Sequence, residues 1–292
     1  MYFTLQFLNG LGIGSIYALV ALGYSMVYGI VRLINFAHGD IIMIGCYVIY
    51  TVLVLLELPV WVALIASLLF CALVGVLIER IAYHRLLKSS APRIALLITA
   101  IGVSLFLQNL YQLVYNAGAK SIPKMFTLPT VPVGQLNISN TLLNLVIALV
   151  VVFMLQMLVN RTKIGKAMRA TSEDDGAAIL MGVNTHMVVL FTFAIGSALA
   201  AVGSILYTNA YPQIKPMMGS MLGLKAFVAA VFGGIGSIPG AMVGGFLLGI
   251  LESLVAGYGA SSYTDAAVFG VLIIILLVRP AGIFGKNVKE KV

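Results

Sequence analysis

The sequence predicts an all-α, polytopic integral membrane protein with about eight or nine transmembrane helices, some of them broken by glycine and proline. Of its 292 residues, 61% are hydrophobic and only 9% are charged, and the mean hydropathy is +1.10. Soluble domains carry roughly 25% charged residues. The apolar residues also fall in runs long enough to cross a bilayer as helices. Residues 1–292 are therefore expected to form a single transmembrane domain.

Continuous apolar windows mark the predicted spans in chain order. Five of them approach or exceed the roughly 20 residues that a helix needs to cross the hydrocarbon core. They are residues 5–31, 60–78, 94–115, 142–159 and 187–209. Two shorter windows, 41–56 and 265–278, are also predicted to span. The first window follows no basic segment and precedes no small-residue cleavage site, so it is expected to persist as an anchor.

A polar interruption, Ile34-Asn-Phe-Ala-His-Gly-Asp40, follows the first span with almost no loop around it. Ionisable groups near the membrane interior are costly and often mark a substrate path. Asn35, His38 and Asp40 are therefore candidates for a translocation path or gate. In the alternative interpretation the segment is an interfacial turn, in which Asp40 caps a helix beginning at Ile41 and Asn35 bonds the end of the preceding helix. No matching ligand set in another span supports a metal at this place.

The two cysteines, Cys46 and Cys71, both lie inside predicted spans. A buried free thiol packs as a small hydrophobic group, so we expect two free thiols. A disulfide or a metal-binding pair is the alternative.

The formal net charge of +8 comes from basic residues that cluster in a few loops, as expected from membrane topology. Twelve of the 17 fall in three segments: Arg80, Arg85, Lys88 and Arg93; Arg161, Lys163, Lys166 and Arg169; Arg279, Lys286, Lys289 and Lys291. Such clusters are typical of cytoplasmic loops, so the C-terminus is predicted to be cytoplasmic and no nucleic-acid partner is expected. Arg32 should follow the first span inward. Four lysines are expected outside, namely Lys120, Lys124, Lys215 and Lys225.

The longest polar segment, which we call the polar island, comprises about residues 161–186. Ser172 is predicted to be the N-cap of a helix of about ten residues, and Gly182 is predicted to end it. The first turn carries three carboxylates that suit a helix N-terminus, Glu173, Asp174 and Asp175. A helix this short is not stable alone in water. It must therefore rest against another surface.

Residues 222–256 are rich in glycine and must make no net crossing, because the polar island and the basic tail are both expected to be cytoplasmic. A broken backbone at membrane depth is tolerated only where it is buried in protein or lines a wet cavity. We predict a helix, a Gly-Pro break and a second helix, either re-entrant or as two short spans. The break residues, candidates for the translocation path, are Gly233, Gly234, Gly236 and Pro239.

Small residues recur every four positions in several predicted helices. The four sets are Gly236, Gly240 and Gly244; Ala241, Gly245 and Gly249; Gly10, Gly14 and Ala18; Gly196, Ala200 and Ser204. Such repeats allow close approach of membrane helices. We expect close packing to be their main role, with a path-lining break as an additional role near Gly233 to Pro239.

Motifs of catalysis are missing from the sequence. It contains no phosphate-binding Gly-x-x-x-x-Gly-Lys-[Ser/Thr], no Gly-x-Ser-x-Gly and no His-Glu-x-x-His. Glu79, Arg80 and His84 are interpreted as solvated residues at the basic end of a span, and Glu252 and Asp265 as residues flanking an outer loop. We expect a protein that is not an enzyme and that itself binds no metal and no nucleotide.

Five segments together carry a resemblance to a known family. They are Gly14-Ser-Ile-Tyr-Ala-Leu-Val-Ala-Leu-Gly23, residues 34–40, Arg169-Ala with Gly182-Val-Asn184, Phe232-Gly-Gly-Ile-Gly-Ser-Ile-Pro-Gly240, and Arg279-Pro-Ala-Gly-Ile-Phe-Gly285. Over nearly its whole length the chain resembles the permease subunits of ATP-binding-cassette importers for branched-chain amino acids, often called LivH-type permeases.

The resemblance implies a set of partners in a bacterial cytoplasmic membrane. In such importers two permeases, identical or sister subunits, form the path, two cytoplasmic ATPases close on ATP with Mg²⁺, and an external binding protein delivers the amino acid. The family's coupling loop looks like residues 170–184, within the polar island. Closure of an ATPase around it would make the loop a two-state lever. The candidate coupling residues are Arg169, Glu173, Asp174, Asp175, Ala177, Ala178 and Gly182.

Other interpretations stay open at this point. The polar island could be an amphipathic helix resting on the membrane base of the protein, with basic side chains reaching lipid headgroups. Related permeases carry urea or short amides. An ATP-independent secondary transporter or channel is a further alternative, against which stands the absence of intramembrane acidic residues for ion or proton coupling apart from Asp40. Docking of a binding protein is expected on the outer loop, residues 116–141.

Overall fold

The computed structural model describes residues 2–89, 91–126, 132–133, 136–137 and 139–285. Its helices are α1 (Tyr2–Val31), α2 (His38–Tyr50), α3 (Val60–Ile78), α4 (His84–Lys88), α5 (Arg93–Tyr115), α6 (Ser139–Arg161), α7 (Lys163–Glu173), α8 (Asp175–Leu180), α9 (Thr185–Ala210), α10 (Met218–Gly233), α11 (Ile238–Val255) and α12 (Thr264–Val278). Lys286, Lys289, Lys291 and part of the predicted outer loop lie outside the described residues.

Short irregular turns and strands connect these helices. Single π-helical turns continue α2 (Thr51–Leu55), join α3 to α4 (Glu79–Tyr83) and follow α11 (Ala256–Ala260), and a 3₁₀ turn (Ser261–Tyr263) leads into α12. The strands β1 (Lys120–Ser121), β2 (Pro132–Val133), β3 (Leu136–Asn137) and β4 (Gln213–Ile214) pair antiparallel as β1 with β4 and β2 with β3.

Within the described part of the chain, eight helical segments are long and apolar enough to cross a membrane, and α10 is a shorter apolar helix of 16 residues. The predicted all-α polytopic fold is confirmed. Each of the seven predicted apolar windows coincides with one of the long segments, because a run of that length has no other way to satisfy its backbone in lipid. The eighth long segment belongs to the glycine-rich stretch.

Helix α1 is the centre of the bundle and packs against α6, α9, α10 and α11. Its residues from Gly14 to Val27 are all buried, as expected for a helix without a polar face. Helices on the outside keep large apolar side chains exposed, for example Leu69, Leu113 and Phe153. These outward faces suit lipid or a partner subunit.

Small residues hold α1 and α11 at backbone contact. A Cβ atom added to Gly249 would lie 2.2 Å from the backbone nitrogen of Gly14, and one added to Gly245 would lie 2.4 Å from Cα of Ala18. At Gly10 an added Cβ would lie 2.6 Å from Cα of Ile250. The predicted close-packing role is confirmed for these two repeats.

The same principle joins other helices. A Cβ on Gly244 of α11 would lie 2.0 Å from the carbonyl oxygen of Ala229 in α10, and one on Gly196 of α9 would lie 3.5 Å from the carbonyl oxygen of Gly23. Gly236 also approaches a neighbouring helix, since an added Cβ would lie 3.5 Å from Cα of Gly29 in α1, although Gly236 does not itself lie within a helix. It has a φ of +91° and lies in the break between α10 and α11.

Helices α10 and α11 form the predicted helix, Gly-Pro break and second helix. Gly234 has a φ of +105°, a conformation that favours glycine. The Ser237 hydroxyl accepts a hydrogen bond from the Gly240 amide at 3.2 Å and caps α11. Pro239 occupies the first turn, where a missing N–H costs nothing. The hairpin returns to the end where it began, since Tyr211, Glu252 and Thr264 line one cavity.

One end of the bundle, which we call the basic end, collects the described basic segments. Arg32, Lys88 and the polar island line one cavity there. The backbone amides of Ile283 and Phe284, just after Arg279, donate to the carbonyls of Phe232 and Gly233 at 3.0 and 2.9 Å. Strand pairing of β1 with β4 puts Lys120 and Lys215 at the opposite end. Lys225 departs from the prediction, because it lies within α10 and is only 12% exposed.

The two cysteines are free and fully buried, as predicted. The Cys46 thiol lies 3.8 Å from the carbonyl oxygen of Ser204, and the Cys71 thiol lies 3.6 Å from that of Ile41.

Candidate functional site

The polar island folds as two helices, α7 and α8, and not as the single predicted one. Thr162 caps α7 by accepting a hydrogen bond from the Gly165 amide at 3.0 Å, and Asp174 caps α8 by accepting one from the Ala177 amide at 2.9 Å. The prediction of Ser172 as N-cap is wrong. Its hydroxyl donates to the carbonyl of Arg169 at 2.8 Å in the last turn of α7, because the helix has already begun at Thr162.

Helix α7 is anchored by one face. Gly165, Met168 and Thr171 are buried at helical spacing, and a Cβ on Gly165 would lie 2.2 Å from the carbonyl oxygen of Val159 in α6. Arg169 is on the exposed face, where its guanidinium donates weakly to Asn160 at 3.4 Å. The anchored face makes α7 a rigid base for α8.

Helix α8 is short and ends as predicted at Gly182, whose φ is +82°. The Gly182 amide donates to the carbonyl of Ile179 at 2.9 Å, and the Val183 amide donates to that of Ala178 at 3.0 Å. Such bonds satisfy the last carbonyls of a helix. Ala178 is 4% exposed and fixes the helix against the protein, whereas Ala177 is exposed.

An apolar tip projects from the polar island. Ile179, Leu180 and Met181 are 54%, 89% and 84% exposed. Exposed apolar groups within a polar rim mark an interaction surface. The small neighbours Ala177, Ala178 and Gly182 were predicted from the sequence, but these three apolar residues were not. Their signal was an Ile-Leu-Met triplet inside the most polar segment of the chain.

A cavity of about 780 Å³ lies at the basic end, between the polar island and the ends of α1, α4 and α9. The three predicted carboxylates all line it, although Glu173 ends α7, Asp174 caps α8 and Asp175 begins α8. Its other charged or ionisable residues are Arg32, Glu79, His84, Lys88 and His186. The cavity therefore joins the island to the membrane-spanning body through polar groups.

Glu79 lies in this cavity wall and is fully buried, so its interpretation as a solvated residue is wrong. It begins the π-helical turn between α3 and α4, and π turns are frequent at functional sites. His84 and His186 approach it, with each Nδ1 3.8 and 3.7 Å from Oε1 of Glu79. The sequence could not show this, because His186 comes from a helix more than a hundred residues away.

The polar interruption after α1 contains the start of a helix and is not only an interfacial turn. Helix α2 begins at His38, so Asp40 lies inside its first turn and does not cap a helix starting at Ile41. Asn35 accepts hydrogen bonds from the Ala37 amide at 3.2 Å and from the Tyr83 hydroxyl at 3.0 Å. It bonds α2 and the π turn rather than the end of α1.

Asp40 is fully buried and ties three helices together. Its carboxylate accepts hydrogen bonds from the Ser104 hydroxyl and, at 2.9 Å, from the Gln108 side-chain amide, both in α5. Gln108 also donates to the Ser220 hydroxyl of α10 at 2.6 Å. Close beside this network, a Cβ on Gly39 would lie 2.3 Å from the carbonyl oxygen of Gly219.

Replacing Asp40 with alanine is expected to destabilise the protein by about 1–3 kcal/mol, because it removes the acceptor that Ser104 and the buried Gln108 share. Asp40→Asn keeps one acceptor oxygen and is the matched control. Thermal unfolding in detergent micelles measures the difference. Equal stability of Asp40→Ala and the wild type would show that the network contributes nothing to the fold.

The predicted path residues form two groups around α1. His38 packs against Tyr24, with ring centroids 4.8 Å apart, and an added Cβ on Gly23 would meet the His38 ring. Gly236 of the break lies against Gly29. Gly23 and Gly29 are six residues apart on α1, or about 9 Å along a helix. His38 and Gly236 therefore both rest on the basic half of α1, at positions about 9 Å apart along it.

A charged cluster lies at the end of the bundle opposite to the basic end, and it was not predicted from the sequence. Lys225 Nζ lies 2.6 Å from Oε1 of Glu252 and 2.8 Å from Oδ1 of Asp265, and the Tyr17 hydroxyl donates to Glu252 at 2.6 Å. Glu252 therefore lies near a loop, as predicted, and also forms an ion pair with Lys225 inside the bundle. Cavities of about 360 and 230 Å³ share Tyr211, Lys225 and Glu252. A lysine inside an apolar run was the available signal.

In the described residues, a central buried helix, eight long apolar segments, a broken hairpin and an anchored polar island define a polytopic membrane protein. The chain belongs to the family described as branched-chain amino acid transport system, permease component, whose model matches residues 6–277. The family resemblance carried by the motifs is confirmed.

Relatives extend over the whole chain. It is 41% identical over all of its length to the high-affinity branched-chain amino acid transport system permease protein LivH of Salmonella typhimurium, and equally to BraD of Pseudomonas aeruginosa, with 98% of each relative covered. A probable LivH of Methanocaldococcus jannaschii is 29% identical over 93% of this chain and 89% of the relative. No solved structure matches the chain.

Proposed function

We propose that this chain is a non-catalytic permease subunit of an ATP-binding-cassette importer and forms the translocation path for leucine, isoleucine and valine. Family membership and the names of the relatives support the substrate class. The observation that carries the coupling is the apolar tip of the polar island, with Leu180 89% exposed. The chain itself binds no nucleotide, and ATP with Mg²⁺ is used by two partner ATPases.

The polar island transmits motion from an ATPase to the spans. Leu180 and Met181 enter an apolar groove of the ATPase, where burying both side chains contributes about 1.5–3 kcal/mol each. Ala178, Gly165 and Met168 hold the island to the bundle, so that movement of the tip is carried into α6, α7 and α9. The other candidate coupling residues determine the shape and the charge of the polar island around the tip. They are Arg169, Glu173, Asp174, Asp175, Ala177 and Gly182.

The interruptions on α1 act as gate elements. A helix that starts or breaks at membrane depth changes its direction more readily than a continuous one. The group Asn35, His38 and Asp40 rests on the basic half of α1 through His38, and the group Gly233, Gly234, Gly236 and Pro239 rests on it through Gly236. Movement of one of these groups away from α1 would then expose the translocation path to one side of the membrane.

Topology and partners follow from the charge distribution. The basic end is cytoplasmic by the positive-inside rule, which puts the C-terminus in the cytoplasm of a bacterial cell with this chain in its cytoplasmic membrane. A sister or identical permease completes the path against an outward apolar face. An extracytoplasmic binding protein docks at the opposite end, near residues 116–141, beside β1 and β4.

Reconstituted uptake tests the proposal. Proteoliposomes containing the purified permease and ATPase complex, with ATP on the ATPase side and binding protein on the other, are given labelled leucine. Uptake should require ATP, fall with excess isoleucine or valine and remain unchanged with excess urea. Leucine entry down its gradient without ATP would favour a channel or secondary carrier, and competition by urea would favour a urea or amide permease.

A further inference from the structure

We propose that Glu79, His84 and His186 form a binding site for a divalent transition-metal cation of the Zn²⁺ type at the basic end. One donor atom from each residue lies within 4.8 Å of the other two. Two imidazoles and one carboxylate are a known ligand set of zinc sites that keep an open fourth position. The proposal goes beyond transport and does not depend on it.

The carboxylate of Glu79 points to a missing positive partner. The side chain is fully buried, and neither of its oxygens has a hydrogen-bond partner among the described residues. A buried carboxylate without partners is costly, and such groups are normally paired or coordinate a metal. A cation bound to Glu79 would satisfy both its charge and its lone pairs.

Distances in the cluster suit a bridging ion better than direct hydrogen bonds. Nδ1 of His84 and Nδ1 of His186 lie 3.8 and 3.7 Å from Oε1 of Glu79, beyond the roughly 3.2 Å limit of a good hydrogen bond. Two ligands held about 2.0–2.1 Å from a tetrahedral zinc lie about 3.3–3.4 Å apart. A small inward movement of the two histidine rings would therefore complete the coordination.

Access and charge also favour a cation. The His84 and His186 side chains are 37% and 41% exposed and face the cavity of about 780 Å³, so an ion can enter from solvent. The cavity wall adds three further carboxylates, Glu173, Asp174 and Asp175, against the cations Arg32 and Lys88. Among the residues that line the cavity, four carboxylates including Glu79 thus face two fixed cations. Arg80 and Arg85 are further basic neighbours in sequence but do not line it.

The position of the ligands gives the ion a mechanical consequence. Glu79 begins the π-helical turn after α3 and His84 begins α4, whereas His186 lies in the first turn of α9, at the end of the polar island. A bound ion would fasten these two segments to each other. It would restrain the island at the hinge where it joins the bundle.

Metal titration of the full-length chain tests the site. The protein is purified with a tag that contains no histidine, stripped with EDTA and titrated in detergent micelles with Zn²⁺ by calorimetry and with Co²⁺ by visible absorption. We expect one Zn²⁺ per chain and the intense visible bands of four-coordinate Co²⁺. Glu79→Gln and His186→Gln should each weaken binding by at least about tenfold, since even outer-shell changes cost 10–100-fold.

One control and one further ligand variant keep the outcome decisive. Asp175→Asn removes a carboxylate from the same cavity but not from the cluster, and it should retain Zn²⁺ binding and the Co²⁺ spectrum. His84→Ala, a change at a partly exposed side chain, provides a third ligand variant if Glu79→Gln does not fold. Absence of stoichiometric Zn²⁺ binding in the wild type, or equal binding by the wild type and all three ligand variants, would overturn the proposal.

Discussion

Replacing Leu180 with glutamate is expected to abolish ATP-driven uptake while leaving the permease folded in the membrane. Leu180 is 89% exposed and makes little contact within its own chain, so the free protein should tolerate the change. In a docked complex the new carboxylate would be buried in an apolar groove without a partner, at a cost of several kcal/mol. Loss of an interface anchor alone typically costs about 2 kcal/mol or more, or roughly 30-fold in affinity.

Transport and copurification measure this prediction together. In proteoliposomes the Leu180→Glu variant should show background uptake, and the ATPases should no longer copurify with it. Leu180→Met, which keeps an apolar side chain of similar size, is the matched control and should behave as wild type. Ala178 is unsuitable for this purpose because it is 4% exposed, and a larger side chain there would disturb α8 itself. Normal uptake by Leu180→Glu would contradict docking through the tip.

Gly249→Ala is expected to prevent correct packing of the bundle. The added Cβ would lie 2.2 Å from the backbone nitrogen and 2.4 Å from Cα of Gly14, and backbone atoms cannot turn aside as a flexible side chain can. Overpacking of a close interface costs about 1–3 kcal/mol and at times more, a large share of a stability of about 5–15 kcal/mol. Since α1 is the centre of the bundle, separating it from α11 affects every span.

The matched control is Gly102→Ala in α5, where an added Cβ meets nothing within 4 Å. This change should be neutral or slightly stabilising, because alanine is the better helix former by about 1 kcal/mol. Expression level, monodisperse elution and thermal unfolding in detergent compare the two variants. Equal stability of the two alanine variants would show that α1 and α11 are less closely packed than the structure indicates.

The sequence predicted the spans, the broken hairpin and the small-residue interfaces because these depend on local patterns. An apolar run of sufficient length must be a helix in lipid. Gly234, Gly236 and Pro239 interrupt the backbone hydrogen bonds of a helix whichever other helices surround it. The close approach of Gly14 and Gly249 required no more than the four-residue repeat, although the sequence did not say which repeats would meet.

Features that depend on which helices meet were not predictable in the same way. Burial of Glu79 follows from α9 packing beside the turn between α3 and α4. The pairing of Lys225 with Glu252 and Asp265 follows from the packing of α10 against α11 and α12. A local pattern does not report which residues of different helices come into contact.

The predicted helix boundaries in the polar island were wrong for another reason. Three good capping residues, Thr162, Ser172 and Asp174, compete within a short segment, and capping preference alone does not rank them. The structure uses Thr162 and Asp174, since the face with Gly165, Met168 and Thr171 is buried and extends α7 past Ser172. The exposed tip at Leu180 then results from the two-helix arrangement.

The central claim, that the apolar tip of the polar island contacts an ATPase, is tested most directly by photo-crosslinking from position 180. The two native cysteines are fully buried, so Leu180→Cys supplies one accessible thiol for a benzophenone probe in the intact complex. Glu57→Cys, exposed between α2 and α3 at the opposite end, is the matched control. The probe at 180 should crosslink to the ATP-binding subunit, as identified by mass spectrometry, and the probe at 57 should not. Crosslinking from 180 to lipid alone would contradict the claim and identify the island as a membrane-surface helix.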